Sequence, residues 1–208
     1  MDDKNCFRNE TWDGTIADHF FKKLGRARGK AQYLKIQARC IAKSYPETAH
    51  LLLNRYFEFP VDIFRSQAFT IRAEAYVAQG KIAEAISSYE DALAREAEFP
   101  HSLTHAYLDL PLLIVNQSLA DKYQRAVVIL MMSKKRLTFP VEHFLWNAIN
   151  ATIAKQSLQL GESREFALCA MQAAHVQHSG FRYHPDVGLV SDKYSDLLER
   201  VISLVHGR

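Results

Sequence analysis

Glycine and proline are sparse in this chain, eight and six residues among 208. No segment alternates Val, Ile or Thr with polar residues, so a sheet as the main architecture is excluded and helices are expected. The longest candidate for a membrane run, Val127–Met132, falls far short of the roughly 18 apolar residues a spanning helix needs. The three cysteines, Cys6, Cys40 and Cys169, are odd in number and widely spaced. Without a CxxC pair they exclude a disulfide framework and a zinc knuckle. Cys40 and Cys169 lie in apolar helical surroundings and read as small core residues. The opening Met1-Asp2-Asp3-Lys4-Asn5 lacks the layout of a secretory leader. A cytoplasmic protein without a membrane partner is expected. GxSxG, HExxH, kinase-type and dinucleotide-binding glycine patterns are all missing, so no enzyme and no cofactor are expected. The net charge of +3 is too small to imply a nucleic-acid partner by itself.

What is present is helical spacing. Residues 1–18 are polar, contain Trp12-Asp13-Gly14, and read as a lead-in to one domain spanning 19–208. Trp12, Phe20 and Phe21 are expected to dock on the first helices. From Gly29 the apolar positions Leu34, Ala38, Ile41 and Tyr45 fall at helical steps. Pro46 ends that helix and fits the first turn of the next, 47 to 57. Pro60 and Asp62 open a helix to about Gln79, Gly80 supplies a left-handed turn, and 81 to 98 form its partner. Pro100 and Ser102 start another, in which Pro111 predicts a kink or break. Further helices are expected over 121 to 135, from Pro140 to about Leu160 with Gly161 closing it, and over 163 to 177. A last one, capped by Ser191 or Asp192, carries Tyr194, Leu197, Leu198, Val201, Ile202 and Val205 on its inner stripe over 191–205. Hairpin openings near 29, 61, 101 and 140 imply a period of about 32 to 40 residues.

The segment Ala73-x-x-Tyr76-x-x-x-Gly80-x-Ile82-x-x-Ala85-x-x-x-Tyr89-x-x-Ala92 sets small residues where two paired helices would touch. It resembles the tetratricopeptide repeat (TPR) over residues 66 to 99. Arg72 stands where that repeat usually has leucine, and Pro100 comes later than its closing proline. Ala154, Gly161, Ala170 and Ala174 echo it in the last hairpin, and Ala38, Ile41, Ala49 and Leu53 faintly in the first. The resemblance implies an all-α, right-handed array of about four antiparallel helix hairpins, a TPR-like α-solenoid with a C-terminal capping helix. It also implies a non-catalytic protein-protein interaction module that binds a peptide or partner protein in a concave helical groove.

One charge is missing from one stretch. Residues 19 to 46 carry Lys22, Lys23, Arg26, Arg28, Lys30, Lys35, Arg39 and Lys43, and no Asp or Glu. Lys35, Arg39 and Lys43 recur every four residues, which puts like charges on one helical face. Carried back one hairpin, the repeat register places Gln32, Lys35 and Arg39 on the groove-lining face, with Thr70 and Glu74 beside them. An acidic peptide suits that groove. Relatives that clamp a terminal carboxylate use lysine and asparagine there; arginine replaces the asparagine here, so no clamp is expected. The alternative reading is a nucleic-acid-associated factor using the basic segment 22–43, with Lys22, Lys23, Arg26, Arg28, Lys30 and Lys43 as its patch. Gly25-Arg26-Ala27-Arg28-Gly29-Lys30 lacks phosphate-loop spacing.

His101, His105 and Asp109 fall at i, i+4 and i+8, a spacing that can hold zinc on a helix. No fourth partner follows, so no metal is expected. His175, His178 and His184 cluster with mixed spacing. Glu90, Asp91, Glu96 and Glu98 read as the solvated side of an amphipathic helix. Phe57, Phe59, Phe64 and Trp146 read as exposed aromatics through which a homo-oligomer is open.

Overall fold

A computed structural model describes residues 7–206. Cys6 and the first third of the 1–18 lead-in lie outside the described residues. Among the described residues there are ten α-helices and no strand. The helices are α1 (Gly14–Arg26), α2 (Lys30–Ile41), α3 (Pro46–Phe57), α4 (Arg65–Ala78), α5 (Ile82–Glu98), α6 (Ala106–Asn116), α7 (Tyr123–Ser133), α8 (Pro140–Gln156), α9 (Leu160–Ala174) and α10 (Ser195–Val205). No helix is long and apolar enough to cross a membrane. The chain divides into two compact units between Ala106 and Tyr107.

In the first unit α2 packs on α3, α3 on α4, and α4 on α5, while α2 also touches α4 and α1 lies against α2. The first helix starts inside the segment read as a lead-in. Asp13 Oδ1 accepts the Ile16 amide at 2.8 Å, the N-cap arrangement that satisfies an orphan donor and sets a helix start. The residues before it are ordered by rings and one amide. Phe7 stacks on Tyr33 with centroids 3.9 Å apart, and Trp12 meets Phe20 edge-on at 5.4 Å. The Gln37 amide exchanges hydrogen bonds with the Asn9 backbone at 2.9 and 2.7 Å.

Alanines make close helix contact possible. Ala38, Ala49, Ala68, Ala73, Ala75, Ala85 and Ala92 are fully buried, with Leu34, Ile41, Leu53 and Ile71 filling the space around them. Pro60 and Asp62 do not open α4, which begins at Arg65. The Asp62 carboxylate is engaged elsewhere: Oδ1 accepts the Phe64 amide at 2.9 Å and the Tyr56 hydroxyl. Neither does a helix follow Pro100 directly. The backbone and hydroxyl of Thr104 donate to the buried Glu96 carboxylate, and Ser66 Oγ donates to the Ser102 carbonyl at 2.9 Å. Those bonds hold 100–105 in an irregular strap, and Glu96 is a buried acceptor rather than a solvated charge.

In the second unit Pro111 sits inside α6 without ending it. Burial of Leu108, Leu110 and Ile114 outweighs the one backbone bond a proline removes. The α8 and α9 helices pair closely, and α10 rests on both. Leu197 and Val201 of α10 are buried, whereas Ile202, expected inside, is exposed. The helix expected to reach Leu160 stops at Gln156, and Gly161 lies within α9 rather than between helices. Later, Gly188 at φ +70° presses on Phe139: a Cβ there would stand 2.3 Å from the ring. Its carbonyl accepts the Val141 amide at 2.8 Å, docking the long loop on the start of α8.

Three helix pairs are joined by the same turn. Gly80, Ser118 and Leu158 take φ of +70°, +52° and +60°, at intervals of 38 and 40 residues. In each, the following amide donates back to the helix five residues earlier: Lys81 to Tyr76, Leu119 to Ile114, and Gln159 to Ala154, at 2.9 to 3.0 Å. This is the Schellman closure. Only the first turn uses glycine; the left-handed region costs other residues about 1–2 kcal/mol. Leu158 is 84 % exposed and loses little by truncation. Leu158→Gly is therefore expected to stabilise the protein by about 1 kcal/mol, read as a higher midpoint in urea unfolding. An unchanged or lower midpoint would contradict the strain assigned to that turn.

Candidate functional site

The residues predicted to line a groove belong to α2 and α4, two helices in contact. They do not share one environment. Gln32 and Arg39 are exposed, Glu74 is half-buried, and Lys35 and Thr70 are buried. The Lys35 stem runs from α2 to the start of α4. Its Nζ donates to Gln67 Oε1 at 2.9 Å and lies 4.1 Å over the Phe64 ring. Burial lowers the ammonium's pKa from its ordinary value, the nearby Asp62 carboxylate raises it in part, and Arg39 lowers it further. Thr70 turns inward as well, its hydroxyl donating to the Gln67 carbonyl at 2.8 Å.

Around this strut most buried polar groups are satisfied by one another, while the buried Nε of Arg95 has no hydrogen-bond partner. Tyr56 from α3 donates to Asp62, and its phenol is pushed far up by burial and then by that carboxylate. Arg95 from α5 reaches the Asp62 carbonyl at 3.4 Å and lies over Phe99 at 3.5 Å. The arrangement ties α2 to the first turn of α4 through Lys35 and ties α3 and α5 to the loop before α4 through Asp62. Its chemistry is structural: a desolvated ammonium held by an amide oxygen and an aromatic face. Nothing in the spacing of Lys35 distinguished it from Arg39; only the neighbouring Phe64 and Gln67, thirty residues on, decide which of the two turns inward.

The rest of the basic patch is placed differently. Lys22, Arg26, Arg28, Lys30 and Lys43 are exposed, and Lys23 is half-buried. Lys22 and Arg26 lie on the last turns of α1, Lys30 opens α2, and Arg28 stands in the turn between them.

His101 and His105 precede α6, which starts at Ala106, so the helical face that would have joined them to Asp109 does not form. Among the described residues no group of three His, Cys, Asp or Glu side chains is placed to hold a metal. Trp146, expected on the surface, is buried and donates its indole N–H to the Leu130 carbonyl at 2.9 Å. Phe57, Phe59 and Phe64 are half-buried, with Arg72 4.1 Å over Phe57. Cys40 is half-buried and Cys169 is exposed rather than a core residue.

No protein-family model matches this chain, and no curated protein or solved structure matches it. Its own geometry therefore carries the functional argument.

Lys35 and Arg39 should respond unequally to charge reversal. Lys35→Glu places a carboxylate against Gln67 Oε1 and near Asp62, and is expected to destabilise the fold by about 2–4 kcal/mol. Arg39→Glu, at an exposed position, should stay within about 0.5 kcal/mol of the parent. Thermal unfolding followed by circular dichroism distinguishes them. Equal effects would show that Lys35 is not the buried strut described.

Proposed function

We propose that the chain is a non-catalytic, TPR-like interaction module. In this reading stacked helix hairpins present the first helix of each pair to an extended peptide or a partner's helix. The observation that supports it most is the contact order of the first unit, in which α2, α3, α4 and α5 pack in succession while α2 also reaches α4. First helices of successive hairpins that touch one another form a continuous face, and rigid helices present side chains with little reorganisation on binding. The recurring Schellman turns support a repeat that the residue types display fully only around Gly80.

The groove residues that carry recognition are narrower than the sequence suggested. Gln32, Arg39 and Glu74 keep access to solvent, while Lys35 and Thr70 shape the wall behind them. Arg39 is the cation through which this face selects an acidic segment, and Glu74 limits how many acidic residues the segment can place beside it.

The test is a fluorescence-polarisation screen of labelled 15-residue peptides of graded acidity. Peptides selected by the parent protein should lose roughly tenfold in affinity with Arg39→Glu, a change of about 1.4 kcal/mol. Glu74→Lys should tighten the more acidic ones. Peptides that bind equally to the parent and both variants would remove the α2–α4 face from recognition.

A further inference from the structure

Between α1 and α2 the chain passes Lys22, Arg26, Arg28 and Lys30, four exposed cations within nine residues. Among the described residues none of the four makes an ion pair. Acidic side chains on the neighbouring elements are few. Asp18 stands one turn before Lys22 and answers that charge alone at i,i+4 spacing. Glu47 opens α3, where its carboxylate accepts from Gln79 at 2.9 Å, and Glu58 follows the far end of α3. Arg55 of α3 adds a further cation, lying 4.5 Å over Phe21 of α1. The α2 helix begins with no acidic residue in its first turn and no side-chain cap, so its own field has the same sign as the patch.

The second observation concerns what the patch lacks. Between Phe7 and His50 no large apolar side chain is exposed; the first among the described residues is Leu51. Protein interfaces depend on a desolvated apolar centre with charge at the rim. A surface of cations and glycines offers no such centre. It offers what a phosphate backbone requires, closely spaced positive charges that displace condensed counterions.

We propose that the α1–α2 turn is a phosphate-backbone contact surface for nucleic acid, separate from the α2–α4 face and independent of the peptide reading. It is narrower than the whole 22–43 segment, because Lys35 is spent inside the fold. It reads charge and spacing rather than bases, since no exposed aromatic side chain lies beside the four cations to stack on them.

The experiment is fluorescence anisotropy with a labelled 20-base-pair DNA duplex and a labelled 20-nucleotide single-stranded RNA, using the full chain. Four phosphate contacts predict that affinity for the duplex falls with salt at a log–log slope of about −3.6, roughly a hundredfold between 50 and 200 mM. The variant Lys22→Ala/Arg26→Ala/Arg28→Ala/Lys30→Ala should lose at least tenfold at 50 mM, with its thermal midpoint and helicity kept. Arg39→Glu should bind within about twofold of the parent. Preference for RNA over duplex, or the reverse, identifies the source of the phosphates. Absence of binding to both probes at 50 mM salt would overturn the proposal, as would undiminished binding by the fourfold variant. Loss caused by Arg39→Glu would move the contact off the turn and equally overturn it. Tighter binding of a 20-residue polyglutamate peptide than of either nucleic acid would assign the patch to an acidic protein instead.

Discussion

The first unit depends on one buried ammonium. Lys35 leaves α2 and ends against Gln67 and Phe64 at the head of α4, so two helix pairs are joined through a charge that has given up most of its water. Such a contact is costly to form and more costly to break from one side. It is tolerable because the same loop supplies Asp62, which sits near the charge while accepting from Tyr56 and from the Phe64 amide. Removing any one of these groups leaves a desolvated neighbour with one partner fewer, which ties the geometry of α2, α3 and α4 together. The alanine seams do the complementary work by letting paired helices approach closely enough for a lysine stem to span the gap.

That strut also sorts the basic residues into roles. Within the stripe of eight cations Lys35 is structural, Arg39 lies on the face shared with α4, and Lys22, Arg26, Arg28 and Lys30 stand exposed about the α1–α2 turn. The division follows from direction along a helix. Lys35 and Arg39 are one turn apart, yet a single turn carries a side chain from beneath Phe64 into open water. Charge that looks uniform in sequence is thus placed in two dielectric environments, where the same substitution has different consequences.

Much of the helical layout was legible. Gly80, Pro46 and Pro140 mark helix limits because each has a backbone reason to stand there, and they do so here. Other limits were hidden because the residue type argues against the conformation. Leu158 and Ser118 adopt left-handed turns that residue type assigns to glycine, and Leu158 rather than Gly161 stands at the turn after α8. Pro111 lies in a helix held by apolar burial, and Asp13 caps a helix whose opening turn reads as polar lead-in. At the candidate site the burial of the groove residues was not legible. Lys35 turns inward because of Gln67, a partner about one hairpin away; Thr70 bonds the Gln67 carbonyl one turn back on its own helix, and Glu96 is buried by Thr104, which follows the end of its own helix. Long-range pairing of this kind leaves no periodic trace.

Whether α2 to α5 form one cooperative body joined through Lys35 is tested most directly by native-state hydrogen exchange in low denaturant. Amides of Ala38 and Leu53 in the first pair and of Ile71 and Tyr89 in the second should converge on one opening free energy with one denaturant slope. A first pair that opens at lower free energy with its own smaller slope, while the second stays closed, would contradict the account.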